Sequence, residues 1–110
     1  MEELLQEITK TIKDYKRMKS VLVFNDTEYL STLMKDLSSN LFFLEAHLSD
    51  ARDEYYSTIV KLLKNHSATE AEKRAKDLHP EKRMLERFLT SGYKVLDSIR
   101  SHISLLKHEK

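Results

Sequence analysis

From Leu30 onward, apolar residues return at Leu30, Met34, Leu37, Leu41, Leu44, Leu48, Ala51, Tyr55, Ile59 and Leu62, in steps of 4, 3, 4, 3, 4, 3, 4, 4 and 3. That alternation keeps one side of an α-helix apolar and lies close to the heptad seam of packed helices. Neither glycine nor proline interrupts it. A helix from Thr27 to about Asn65 would extend roughly 55–60 Å at 1.5 Å per residue. One small compact core does not cover such a length, so the seam calls for a partner of comparable length, and a homo-oligomer is expected.

The remaining chain also reads as helix. One Gly and one Pro in 110 residues leave almost no turn chemistry for a β architecture. A first helix over 1–20 carries the stripe Leu4, Leu5, Ile8, Ile12, Tyr15 and Met18. Glu2 and Glu3 at its start and Lys16, Arg17 and Lys19 at its end complement the helix dipole. In the connection SVLVFNDTEYL, Asp26 or Thr27 can cap the long helix of 27–65, with Phe24 stapled on Tyr29 or Leu30. Val21 to Phe24 reads as either a short strand or a loop.

Ser67 and Thr69 each precede a glutamate by three residues, the capping-box spacing, and open a short polar helix within a basic turn region, 67–79. His79-Pro80 punctuates it, since proline is welcome in a helix's first turn and disruptive inside one. The last helix, 80–108, has the stripe Leu85, Phe88, Gly92, Val95 or Leu96, Ile99, Ile103 and Leu106. Glycine there costs about 1 kcal/mol against alanine, which a close helix contact offsets. The expected fold is a single all-α domain, 1–110: an elongated helical hairpin plus an N-terminal helix. Leu41, Leu44, Leu48, Gly92, Leu96, Ile99, Ile103 and Leu106 are its candidate oligomer interface.

Bulk charge, +1, names no partner, but its distribution is uneven. Residues 1–60 hold seven Lys/Arg against eleven Asp/Glu, whereas 61–110 hold twelve against seven. The second half can therefore present a basic face. Lys61, Lys64, Lys73, Arg74, Lys76, Lys82, Arg83 and Arg87 gather around the turn region, with Arg52 and the exposed-side Tyr56 upstream. Cations neutralise phosphates and an aromatic ring stacks on unpaired bases, at about 1–3 kcal/mol per base. Tyr55, on the seam, reads as core. An acidic protein surface would suit the same cations.

No enzyme is expected, and no cofactor. The histidines include no i, i+4 pair to hold a metal, carboxylates are scattered among lysines, and a single glycine builds no phosphate loop. Without cysteine, disulfides and thiolate sites are excluded. No signal peptide or membrane span is read, so a cytoplasmic protein is expected and the sequons at Asn25 and Asn65 are set aside.

Three stretches together resemble the UvsY family of phage recombination mediators: KSVLVFNDTEYL, DARDEYY and LTSGYKVLDSIRSHISLLKHE, in the family's order. The resemblance implies a helical ring that binds single-stranded DNA. It would help load a RecA-like recombinase onto strands covered by single-stranded-DNA-binding protein. Arg52 matches one of the family's basic positions before the tandem tyrosines, whereas Asp50 stands where another base is expected. The competing expectation is a helical protein-interaction module, such as an inhibitor or adaptor, whose seams meet another protein's helices.

Overall fold

The computed structural model describes residues 1–19 and 26–108. Four helices follow one another: α1 (Glu2–Lys19), α2 (Thr27–Leu62), α3 (Ala68–Leu78) and α4 (Glu81–His108). The shape is elongated, 64 × 24 × 19 Å, because α2 is an unbroken spine and the other three dock along it. The Val21 to Phe24 segment and the Phe24 staple lie outside the described residues.

The helix ends follow local chemistry. Asp26, not Thr27, is the N-cap of α2, and its Oδ1 accepts from the Tyr29 amide at 3.0 Å. Three residues earlier than expected, α2 gives way at Leu62 to a tighter turn in which Asn65 N donates to Leu62 O. Ser67 caps α3 by accepting from Glu70 N at 3.2 Å. The capping box is only half made, because the Glu70 carboxylate turns to Arg74 at 3.0 Å. At His79, φ −130° and ψ 67° end α3, as expected of a residue preceding proline. Pro80 stands just before α4, its carbonyl accepting from Met84 N.

The spine's partner comes from within the chain. One side of α2 is buried at Leu30, Leu33, Leu37, Leu41, Leu44, Leu48, Ala51 and Tyr55. Leu85, Leu89, Leu96, Ile99 and Ile103 of α4 close most of that face, and Ile8 and Tyr15 of α1 join the same core. Each fully buried leucine or isoleucine contributes about 1.5–3 kcal/mol. Tyr15, buried, satisfies its hydroxyl against Ser98 Oγ at 2.9 Å. α3 reaches α2 with Ala71 and Ala75, both fully buried.

The expected interface residues therefore have another role in the monomer. Leu41, Leu44, Leu48, Gly92, Leu96, Ile99 and Ile103 are covered by the chain's own helices, and Leu106 packs part-buried against them. Apolar spacing reports that a face is covered, not which chain covers it. Gly92 does mark a close helix contact: a β-carbon there would stand 2.5 Å from Leu41 Cδ2. Among the described residues, no helix is long and apolar enough to cross a membrane.

Candidate nucleic-acid interface

Ion pairing decides which cations are available to a ligand. Lys82 Nζ donates to Glu86 Oε1 at 2.7 Å, and Arg52 lies 3.6 Å from the other oxygen of that carboxylate. The same ammonium sits 4.7 Å from the centroid of the Tyr55 ring, within cation–π range. The Lys82 hydrogen bond is the main reason that the Glu86 carboxyl is held below its ordinary range, partial burial opposing it and the nearby charges of Lys82 and Arg52 helping. Arg74 Nε is spent on Glu70. Three of the cations expected to meet phosphate thus have partners inside the chain.

Lys61, Lys64, Lys73 and Lys76 are exposed and form no ion pair among the described residues. Lys73 and Lys76 lie on faces of α3 turned away from Ala71 and Ala75, the side that meets α2. The tandem tyrosines divide as the seam spacing predicts. Tyr55 is buried, while Tyr56 is 55% exposed and stands edge-on to it at 5.2 Å.

A second cationic surface is more enclosed. A groove of about 650 Å³ runs between α1 and the N-terminal half of α4. Lys13 and Lys16 line it from α1, and Arg83 and Arg87 from α4. All four are exposed and without an ion pair, and no Asp or Glu lines the groove among the described residues. Ile12, Met84 and Phe88 supply apolar lining. Helices that carry charge of one sign on facing edges, over a low-dielectric floor, concentrate the field toward an anion.

Of the cations clustered in the sequence, Arg83 and Arg87 belong to this groove. Lys13 and Lys16 complete it, and Phe88, counted among the apolar stripe of α4, turns partly into it. The i, i+3 spacing of Lys13 and Lys16 and the i, i+4 spacing of Arg83 and Arg87 place each pair on one helix face. Nothing in the sequence says that those two faces meet.

α2 also has an outward seam that the apolar reading passed over. Phe42, Ala46, Ser49, Asp53, Tyr56, Val60 and Leu63 recur at steps of 4, 3, 4, 3, 4 and 3, and all are exposed. Phe42 is 69% exposed and stacks edge-on to Phe43, itself exposed. Solitary apolar residues at a surface are ordinary, but a row at helical repeat marks a place where another surface can lie.

Among the described residues, spine, groove and outward row belong to an elongated all-α protein with a cationic groove between α1 and α4. No family model, curated protein or solved structure matches the chain.

Proposed function

We propose that the chain is a single-stranded-DNA-binding protein of the recombination-mediator type, acting without catalysis. On this reading it would help load a RecA-like recombinase onto strands held by single-stranded-DNA-binding protein. The observation that carries the binding role is the α1–α4 groove: among the described residues, four cations without an ion pair, no lining carboxylate, and Phe88 and Met84 as apolar contact for bases. The mediator role rests on the resemblance of the three sequence stretches. Placing the strand in the groove also accommodates Asp50, because the segment before the tandem tyrosines is then not the phosphate path.

Fluorescence anisotropy with labelled poly-dT at low and moderate salt tests this. Affinity should fall steeply with salt, and log K against log salt should lose about 0.7 in slope for each phosphate contact removed. Lys16→Ala with Arg83→Ala and Arg87→Ala should flatten the slope by about 2. Lys73→Ala with Lys76→Ala should change it little. Absence of binding at low salt refutes the DNA reading, and a larger loss in the second variant moves the strand to α3.

The expected homo-oligomer is favoured by the outward row of α2, with a second copy of the chain as its occupant; another protein's helix on the same row would be the interaction-module reading instead. Antiparallel pairing about Arg52 and Asp53 sets Phe42 opposite Leu63, and small against large at Ala46 opposite Val60 and Ser49 opposite Tyr56. Arg52 of each copy then lies beside Asp53 of the other. Assembly through this face leaves the groove open, so it is compatible with the DNA role. Light scattering should show an oligomer that Val60→Glu dissociates; a monomeric wild type, or an oligomer indifferent to that change, rules the seam out.

A further inference from the structure

No two histidines share a helix face at one-turn spacing, yet the fold brings metal-ligand side chains together from three elements. Glu54 of α2, His79 at the end of α3 and Glu81 at the start of α4 each place a ligand atom within 4.8 Å of the other two. His79 and Glu81 are part-buried and Glu54 is exposed.

The hydrogen bonds around His79 make this more than proximity. Thr58 has one hydroxyl proton, and the Glu54 carbonyl, 2.9 Å away, can accept it. His79 Nε2 lies 2.7 Å from the same hydroxyl; when the hydroxyl donates to the carbonyl, its oxygen accepts from Nε2–H, and this is the tautomer that frees Nδ1 to ligate a metal. In that tautomer Nδ1 presents a lone pair 3.3 Å from Glu81 Oε1, a spacing that a cation between the two atoms satisfies. Ligand atoms around tetrahedral zinc, with bonds of about 2.0–2.1 Å, stand about 3.3 Å apart.

We propose that Glu54, His79 and Glu81 form a site for a divalent transition-metal ion of the zinc type. His79 Nδ1 and a Glu81 oxygen are the preformed pair, the Glu54 carboxylate swings in as third ligand, and water completes the shell. Thr58 is a positioning residue that holds the ring and its tautomer, as outer-shell partners of metal-bound histidine do. One imidazole with two carboxylates suits zinc, whereas magnesium and calcium prefer all-oxygen shells. The ion would tie the spine to the α3–α4 junction. The rival occupant is a proton, which makes His79 an imidazolium paired with Glu81. This proposal is independent of the DNA reading.

The test is calorimetric titration of the full chain with zinc chloride, magnesium chloride as control, and thermal melts followed by helical circular dichroism. One zinc per chain should bind and raise Tm, and magnesium should do neither. His79→Ala and Glu81→Gln should each weaken zinc binding at least about ten-fold, and Thr58→Val by about ten-fold. Cobalt in place of zinc should give visible absorption bands of a low-symmetry site, lost in Glu81→Gln. Should His79→Ala lose its helical signal, Glu81→Gln decides alone. No zinc-dependent rise in Tm, or zinc affinity that survives Glu81→Gln, overturns the proposal in favour of the proton.

Discussion

Gly92→Ala probes the close approach of α4 to the spine. The added β-carbon would stand 2.5 Å from Leu41 Cδ2 and 3.3 Å from Cδ1, where ordinary contact begins at 3.4 Å. The nearer methyl must retreat by about 1 Å, inside a close-packed interior. Leu41 is fully buried, so the retreat pushes on its neighbours, and overpacking of this kind costs about 1–3 kcal/mol. Alanine's better helix propensity returns about 1 kcal/mol. The expected net effect is a loss of about 1 kcal/mol, or about 4–8 °C in Tm for a domain near this size.

A double-mutant cycle separates the two contributions. Leu41→Ala alone should cost about 2–5 kcal/mol by leaving a cavity. In that background Gly92→Ala no longer meets a methyl, and only the propensity gain of about 1 kcal/mol remains. Urea unfolding of the four proteins at one concentration, followed by circular dichroism, measures the coupling. If Gly92→Ala stabilises both backgrounds alike, the close approach does not exist and the reasoning fails.

Tyr15→Phe, which removes the buried hydroxyl bonded to Ser98, should cost about 0.5–1.5 kcal/mol in urea unfolding; no change would mean that the bond contributes nothing. Asp26→Ala should cost about 1 kcal/mol and speed amide exchange in the first turn of α2, whereas Thr27→Ala should do neither to that extent. Because the folded Glu86 carboxyl titrates below its ordinary 4.5, its stabilisation is present above that pH and fades as pH falls through the lowered value. Glu86→Gln should therefore flatten the acid side of the stability profile, by less than about 1 kcal/mol since the Glu86 side chain is more than a third exposed to screening solvent. Tyr93 donates to Glu45 Oε1 at 2.6 Å, and this bond is the main reason that its phenol is pushed up to about 12. Ultraviolet titration should lose its latest tyrosine step in Tyr93→Phe, and a step that persists would assign it elsewhere.

Helix positions were largely legible, because caps and apolar periodicity are local. Asp26, Ser67 and His79-Pro80 mark ends through groups that bond within a few residues. Pairing was less legible. The long stripe of α2 announced a covered face, but whether α4 or another chain covered it depended on how the turn region folds back. Leu33 and Leu89 are buried although they fall between the steps of their stripes, since α2 and α4 each meet more than one neighbour. Clustered cations were visible; their partners were not. Glu86 pairs with both Arg52 and Lys82, and it does so across 34 residues in the first case. Lys13, Lys16, Arg83 and Arg87 reach one groove from opposite ends of the sequence, through a packing that no local pattern encodes.

The attachment of α3 has a consequence for the order in which the molecule opens. Two alanines give this helix little area to bury, while its other side chains are mostly in water. Its amides should therefore exchange with solvent at a small fraction of the global unfolding free energy, well before those around Leu41 and Ile99. Detached, the α3 segment would become a mixed-charge tether of some 18 residues between Leu62 and Glu81, reaching farther than the docked helix while the rest of the spine stays folded.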